Sequence, residues 1–400
     1  MKTRHLLLLA TVLATAHAAS FRKGPYLVYP GKNTAMTIMW QADATPSASF
    51  VEWGATPDYG HRSGPLEENG SGKDDHLFAY TITGLEPGKL YNYRVVVDSA
   101  GESGAFRTGP PASAQAVTFY AYGDTRSAPQ RHDKVCAAIL ADMRKDPARR
   151  QTLIVHTGDW AIRSTEALWQ REVFDRKQRN IRDLMRLLPL TGCAGNHENT
   201  VGDYSVFAKY LPFGRSRTQF DYGPVHFLML TRDDVDKSHE KKYAALERDM
   251  AASANKRWKI AVIHHPAYTA GSGHRGDKTV LSGLCPLLVK YRYDVVISGH
   301  NHLYARAFKD GVTHITTGGG GAPLHKPGRK SQCVVRAESV HHFLRFDVAP
   351  DAMTITAIRV DGSIIESVRL EKGAAGPPSA AKASGSRVQP RRSVSRAGAK

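Results

Sequence analysis

Short runs with a period of two dominate residues 19–108 of the chain. Apolar and polar side chains alternate along each run, and turn-forming segments such as Gly84–Gly88 separate one run from the next. An alternating run places its apolar side chains on one face of a strand, so several such runs can bury a core between two sheets. The runs predict a β-sandwich over residues 19–110, with strands at Ala35–Gln41, Ser49–Gly54, His76–Thr83 and Leu90–Asp98.

From Val117 onward, strand-like apolar runs alternate with longer segments that have helical spacing. The predicted strands are Val117–Tyr122, Leu153–Thr157, Val225–Thr231, Ile260–Ile263 and Val295–Ser298. The predicted helices are His132–Lys145, Thr165–Leu187, His239–Ala252 and Thr279–Tyr291. After Gly311 the pattern returns to strands, at Val312–Thr317, His342–Val348, Met353–Val360 and Ser363–Leu370. The alternation predicts an α+β protein whose second domain, residues 115–372, packs helices on sheets.

The first 18 residues are typical of a cleaved signal peptide. Lys2 and Arg4 precede the apolar stretch Leu6–Ala16, and Ala16-His17-Ala18 offers the small residues that a signal peptidase accepts. The apolar stretch is much shorter than the roughly 20 residues that span a bilayer. No later segment reaches that length. The leader therefore predicts a secreted or periplasmic protein without a transmembrane segment.

The formal net charge of +18 becomes less informative once it is located along the chain. The leader contributes +2 and residues 373–400, which contain no acidic residue, contribute +6, so +10 remains for residues 19–372. The last 28 residues are rich in Gly, Ala, Ser and Pro and predict a disordered basic tail. Because no stripe of basic and aromatic residues accompanies the charge, we expect no specific nucleic-acid partner.

The four cysteines leave two interpretations open. They could form two disulfides, in any of three pairings, or remain buried thiols. None of them belongs to a CxxC pair, and nothing near them indicates a catalytic thiol; they are Cys136, Cys193, Cys285 and Cys333.

Polar motifs follow four of the predicted strands, and a further short predicted strand at Leu190–Cys193, at the point where each strand ends. Aspartate can bridge two cations, histidine binds borderline transition metals, and an asparagine carbonyl completes a coordination shell without adding charge. The glycines that precede several of these residues allow a sharp turn. Each motif alone is common, but the ordered set predicts a binuclear metal site. The motifs are Gly123-Asp124-Thr125-Arg126, Gly158-Asp159, Gly195-Asn196-His197-Glu198, His264-His265 and Gly299-His300-Asn301-His302.

In this order the motifs, GD…GD…GNHE…H…GHxH, resemble those of the calcineurin-like metallophosphoesterase superfamily. The preceding segment, with Lys23-Gly24-Pro25-Tyr26-Leu27 and the run from Gly84 to Val95, is similar to the purple acid phosphatase branch. The resemblance extends from about Gly24 to Leu370. It implies a fibronectin type III-like sandwich followed by a four-layer αββα catalytic sandwich.

The resemblance also implies two transition-metal ions, divalent or trivalent, with Fe, Zn or Mn as candidates, and a small phosphoester as substrate. Asp159 would bridge the two ions, and His197 would lie near the phosphate as an acid or charge stabiliser. The implied ligands are Asp124, Asp159 and His302 for the first ion, and Asp159, Asn196, His264 and His300 for the second ion.

Three positions depart from the family pattern. Ile162 stands where purple acid phosphatases have a tyrosine that ligates ferric iron, and Arg126 stands where other branches have a histidine. The first ion would therefore lack one protein ligand, which predicts a colourless enzyme with a more labile first site. Arg126 is a candidate for stabilising transition-state charge, or for a salt bridge to a neighbouring carboxylate. The third departure is Ala305, which stands where the family often has a glutamate.

His274 lies in a glycine-rich loop, where it could contact substrate or remain solvated.

We expect the protein to hydrolyse phosphate monoesters. A water activated as hydroxide by the two cations would attack phosphorus directly, and His197 would protonate the leaving oxygen. A phosphodiesterase or nucleotidase is the alternative within the enzyme class, because the same metal core serves both. The alternative from another class is a catalytically inactive protein that docks to a surface or a glycan. The six ligands favour an enzyme, and the sequence leaves the oligomeric state open.

Overall fold

A computed structural model describes residues 18–66, 68, 75–200, 202, 204–213, 216–272, 274–328, 331, 333–373 and 378–380. The predicted signal peptide, apart from Ala18, lies outside the described residues. Among the residues described, no helix is both long enough and apolar enough to cross a membrane.

The N-terminal region is a two-sheet sandwich. Its strands are β1 Phe21–Val28, β2 Met36–Ala42, β3 Ser49–Gly54, β4 His61–Arg62, β5 Leu77–Ile82, β6 Leu90–Val97 and β7 Ala100–Arg107. Strands β4-β3-β6-β7 form one sheet, and β1, β2 and β5 lie in the other. Trp40, Phe78, Tyr93 and Phe106 are fully buried between the two sheets. The sequence pattern missed β7, whose segment AGESGAFR contains few apolar residues, and β1.

The N-terminal sandwich shares a sheet with the following region. Strand β1 pairs in parallel with β10 (Leu190–Gly192) through Val28 and Leu190. The resulting ten-stranded sheet has the order β21-β20-β19-β18-β8-β9-β10-β1-β2-β5. At this junction Lys23 of β1 is completely buried, and its Nζ donates to the hydroxyl of Tyr210 at 2.9 Å.

The rest of the ten-stranded sheet and a seven-stranded sheet, ordered β11-β12-β13-β14-β16-β15-β17, form the centre of the second region. The strands are β8 Val117–Tyr122, β9 Ile154–His156, β11 Thr218–Tyr222, β12 Val225–Leu230, β13 Trp258–Ile263, β14 Val295–Ser298, β15 Tyr304–Lys309, β16 Val312–Thr317, β17 Val334–Glu338, β18 His342–Val348, β19 Ala352–Arg359, β20 Ile364–Glu371 and β21 Ser379–Ala380. The helices are α1 Pro129–Arg144, α2 Pro147–Arg150, α3 Glu166–Glu172, α4 Arg179–Leu187, α5 Ser205–Tyr210, α6 Glu240–Ala252 and α7 Lys278–Lys290. Single 3₁₀ turns lie at His197–Asn199 and Arg232–Asp234.

The two sheets stack face to face, and helices cover both outer faces. Alternate residues of β8 show why: Phe119 packs between the sheets with Phe227 and Phe346, whereas Tyr120 and Tyr122 pack against α1. The outer face of the seven-stranded sheet packs against α6 and α7. The architecture is therefore α+β with four αββα layers, which confirms the fold predicted from the sequence.

Two predicted elements differ from the structure. The single helix predicted over Thr165–Leu187 is wrong: α3 ends at Glu172 and α4 begins at Arg179. Between them the Asp175 carboxylate accepts a hydrogen bond from the backbone N–H of Lys177 at 3.0 Å, and such a local bond competes with the helix. In the predicted disordered tail, Ser379–Ala380 pairs with β20, while residues 381–400 lie outside the described part.

Candidate metal centre

The predicted ligands meet where parallel strands of both sheets end. Strands β8, β9 and β10 run parallel in one sheet, and β13 and β14 run parallel in the other. Their carboxyl ends point the same way, and each delivers a loop to one crevice. These loops carry Asp124, Asp159, Asn196, His264, and His300 with His302.

Three of the ligands have left-handed backbones. The φ angles are 58° at Asp124, 61° at Asp159 and 67° at His300, a conformation that costs of order 1–3 kcal/mol for a residue with a Cβ. Gly158 also has a positive φ, of 93°, whereas Gly123 and Gly299 do not and instead allow close packing. A Cβ at Gly123 would lie 2.0 Å from Thr157 Oγ1, and a Cβ at Gly299 would lie 2.4 Å from Asp124 Oδ2.

We call Asn196, His264, His300 and Asp159 Oδ1 the second-metal group. Asn196 Oδ1 lies 3.1 Å from His264 Nε2 and 2.9 Å from His300 Nδ1. His264 Nε2 also lies 3.3 Å from Asp159 Oδ1. Because His264 Nδ1 donates to the carbonyl of Thr157 at 2.7 Å, Nε2 carries the lone pair of the neutral ring. The polar atoms of these four residues therefore lie close together, as those of a metal ligand set do.

We call Asp124, His302 and Asp159 Oδ2 the first-metal group. One donor atom from each of these three buried residues lies within 4.8 Å of the others. His302 Nδ1 donates to the carbonyl of Pro323 at 2.7 Å, so Nε2 carries the lone pair and faces Asp124 Oδ1 at 3.5 Å. Asp159 therefore presents one carboxylate oxygen to each group, which is the geometry of a bridging ligand.

Arg126 lies within the first-metal group. Its Nε donates to Asp159 Oδ2 at 3.3 Å, and its Nη2 lies 3.3 Å from His302 Nε2. The salt bridge that the sequence analysis weighed for Arg126 is therefore present, and its partner is the bridging ligand itself. Ile162, half-buried nearby, offers no donor atom from its side chain, so the colourless enzyme stays a prediction.

Charge is distributed unevenly across the centre. Burial favours neutral His264, but the Asp159 carboxylate outweighs burial and raises the pKa of His264 to about 9. Burial would raise the pKa of Asp159, yet His264 and His197 hold the pKa of Asp159 well below its usual range. Burial, together with the neighbouring His264 and His265, lowers the pKa of His300 to about 2. The metal-free centre thus favours an ion pair between Asp159 and His264.

Two buried glutamates hold the ligand loops by accepting backbone hydrogen bonds. Glu198 accepts from Asp159 at 2.8 Å, Trp160 at 2.8 Å and Gly195 at 2.6 Å. Glu172 of α3 accepts from Ser127 at 2.8 Å and Ile162 at 2.9 Å. The sequence analysis gave neither a role, although the GNHE motif contains Glu198. Glu172 carries no local motif.

Four further histidines surround the two groups. His197 Nδ1 donates to the carbonyl of Ile162 at 2.7 Å, and its Nε2 lies 3.8 Å from Asp159 Oδ2, so Nε2 faces the centre. The ring of exposed His274 lies 4.4 Å from that of His300. His265 packs 4.5 Å from His300. The sequence analysis missed the fourth, His325, whose ring stacks on His302 at 4.0 Å.

All nine predicted site residues therefore lie in or beside one crevice. Carboxylate, imidazole and amide donors with inward lone pairs fit two transition-metal ions. Fold and donor set together define a binuclear metallohydrolase.

Sequence comparisons agree with this class. The calcineurin-like phosphoesterase family model matches residues 118–304, and the model of the purple acid phosphatase N-terminal domain matches residues 23–122. Purple acid phosphatase 21 of Arabidopsis thaliana is 28% identical over 320 residues, which cover 72% of this chain and 68% of that protein. Acid phosphatase type 7 of Homo sapiens is 25% identical over 320 residues, with coverage of 70% and 69%.

Solved structures share the fold. A purple acid phosphatase from yellow lupin (Lupinus luteus) seeds superimposes with a TM-score of 0.73 at 16% identity, covering 88% of this chain and 74% of that chain. PhoD superimposes with a TM-score of 0.65 at 13% identity, covering 88% and 90%. The chain contains a calcineurin-like phosphoesterase domain preceded by a purple acid phosphatase N-terminal domain. It is a metal-dependent phosphoesterase of the family that uses a binuclear metal centre.

Proposed function

We propose that the protein hydrolyses phosphate monoesters by direct attack of water, without a phosphoenzyme. The observation that carries this proposal is the placement of Asp159, whose two oxygens face the two separate donor groups. Two bound cations would supply Lewis acidity there, activating a water and neutralising charge on the phosphoryl oxygens. Most of the ligand residues are buried, whereas Asn196 at their edge is exposed.

Other side chains near the centre can donate a proton and bind the phosphate. His197 Nε2 faces the centre while Nδ1 donates to the Ile162 carbonyl, so Nε2 carries a proton only when the ring is an imidazolium, and that proton would pass to the leaving oxygen. Exposed His274 and half-exposed His325 line the mouth, where imidazole N–H groups can donate to the phosphate. Arg126 adds a fixed positive charge. A monoester dianion carries more charge than a diester anion, so the positive charge of Arg126 favours monoesters.

Comparing hydrolysis of p-nitrophenyl phosphate with that of its bis ester tests the proposal, after the metal-free protein is loaded with Mn²⁺, Zn²⁺ or Fe. We expect the monoester to react faster at equal concentration. A faster diester would assign a phosphodiesterase instead. Absence of hydrolysis with every metal would favour the inactive binding protein.

We further propose that the protein is exported and begins at Ala19 after cleavage of the leader. Cleavage would turn the backbone nitrogen of Ala19 into a terminal ammonium. That nitrogen lies 2.8 Å from Asp98 Oδ2, and Ala19 is only 2% exposed, so the ammonium would gain a sheltered ion pair. N-terminal sequencing of protein expressed with its leader in a secreting host should give Ala19 as the first residue; an intact leader would contradict the proposal.

A further inference from the structure

The guanidinium of Arg126 spans the atoms that would hold the first metal ion. Its Nε lies 3.3 Å from Asp159 Oδ2, and its Nη2 lies 3.3 Å from His302 Nε2. The side chain is only 15% exposed, and that of Asp159 is 1% exposed. The positive charge is therefore held inside the ligand group instead of extending from it into solvent.

The direction of these hydrogen bonds matters. His302 Nδ1 donates to the Pro323 carbonyl, so in the neutral ring Nε2 is an acceptor and Arg126 must be the donor. Asp159 Oδ2 likewise accepts from Arg126. Each lone pair that faces the guanidinium is a lone pair that a metal ion would need. Arg126 and the first ion therefore compete for the same lone pairs and for the same negative charge on Asp159.

The second-metal group lacks this competition. Its side chains contact one another, with Asn196 Oδ1 at 3.1 Å from His264 Nε2 and 2.9 Å from His300 Nδ1. Among the residues that the structure describes, no arginine or lysine is hydrogen-bonded to Asn196, His264 or His300. An ion at the first position must displace a tethered cation, whereas an ion at the second position meets no such side chain among the residues described.

We propose that Arg126 is an internal competitor for the first metal ion, so that the second site fills at lower metal concentration than the first. The inference rests on the binuclear centre of the proposed function. It goes beyond the missing ligand at Ile162, because a missing ligand alone predicts a weak first site that removal of Arg126 would leave weak. Competition predicts that removing Arg126 tightens the first site.

The test is a calorimetric titration of the metal-free full chain with Zn²⁺, supported by elemental analysis of the bound metal. Wild type should bind in two separated steps. Arg126→Gln should tighten the weaker step by about tenfold or more, because a unit charge within a few ångströms of the ion is removed. The tighter step should change less than the weaker one, because Arg126 contacts the second-metal group only through the shared Asp159 carboxylate.

Two matched variants separate competition from other effects. Arg126→Lys keeps a cation on a flexible chain that can reach the same carboxylate, so its weaker step should stay near that of wild type. Arg275→Gln removes an exposed positive charge beside His274 that is outside the ligand group, and it should leave both steps unchanged. Thermal unfolding of each metal-free variant checks its fold, and Arg126→Met provides a second uncharged side chain if Arg126→Gln unfolds.

Several results would overturn the inference. One is that the affinity of the weaker binding step is unchanged or reduced in both Arg126→Gln and Arg126→Met. The others are that Arg126→Lys or Arg275→Gln raises this affinity as much as Arg126→Gln does. Hydrolysis of p-nitrophenyl phosphate by the same wild-type sample is measured in parallel. If hydrolysis is absent while Arg126→Gln still tightens the weaker step, the proposed function fails and the role of Arg126 stands. If hydrolysis occurs without tightening, only the role of Arg126 fails.

Discussion

The two halves of the metal centre are built alike but differ in the positive charge that balances the Asp159 carboxylate in each half. In each half, strand ends deliver a shared Asp159 oxygen together with imidazole donors, whose positions are fixed by hydrogen bonds to backbone carbonyls. In the second half the counter-charge is a proton on His264. In the first half it is the guanidinium of Arg126. A proton leaves into solvent when metal arrives, but an arginine stays attached, so the same construction yields two unequal sites.

Removing the bridge should have the largest effect, because it destroys both halves together. Asp159→Ala should lose both ions and reduce activity by more than about 10³-fold, since loss of a single oxyanion donor already costs about 10²–10³. Elemental analysis and phosphate-release assays measure the two effects. Retention of both metals would show that Asp159 is not the bridge.

His197→Ala should separate chemistry from metal binding. His197 contacts the Ile162 carbonyl and approaches Asp159, but it belongs to neither ligand group. We expect turnover to fall by about 10²-fold, as is usual when a general acid is lost, with both metals retained. If metal is lost as thoroughly as in Asp159→Ala, His197 is a structural residue and the acid lies elsewhere.

Replacing each of the two buried glutamates in turn should show which metal site it supports. Glu198→Gln disturbs the backbone N–H of Asp159, and we expect it to weaken both sites by about 10–100-fold, as loss of such supporting contacts commonly does. Glu172→Gln disturbs Ser127 and Ile162 and should weaken only the first site. Metal titrations of the two variants measure this. Equal weakening of both sites in Glu172→Gln would contradict the division.

The two halves should differ in how their affinity for metal depends on pH. In the metal-free protein the pKa of His264 is about 9, and a ligand must be deprotonated to bind metal. The affinity of the second site should therefore rise about tenfold for each pH unit up to about pH 9 and level off above it. Arg126 keeps its charge throughout, so its displacement releases no proton. Titration in buffers of different ionisation enthalpy counts the protons released.

The residues that gather at the centre could be selected from the sequence because each one is marked locally. Asp124, Asp159 and His300 follow a glycine at the end of an apolar run, and parallel strands then bring those ends together. Arg126 was noted as a departure from the family pattern for the same reason. Its position inside the first-metal group could not be predicted, because it depends on a rotamer and on His302, 176 residues away.

The contacts that the sequence did not predict are non-local. Glu172 supports Ser127 from 45 residues away and has an ordinary helical context. His325 follows His302 by 23 residues and reaches it through a loop without a motif. The split of the predicted helix over Thr165–Leu187 depended on a side chain, Asp175, competing for backbone donors. Hydrophobic periodicity indicates which face of a helix or strand is buried, but it does not indicate which residues that face contacts.

The parallel pairing of β1 with β10 has a consequence for how the molecule can be divided. The Gly195–His197 loop follows β10 directly, so an N-terminal strand flanks the strand that delivers Asn196. Cutting the chain between the two regions would leave β10 as a bare edge with unpaired backbone groups, which invites aggregation. The sandwich therefore covers an edge of the catalytic region, and we expect that region to aggregate when it is expressed alone.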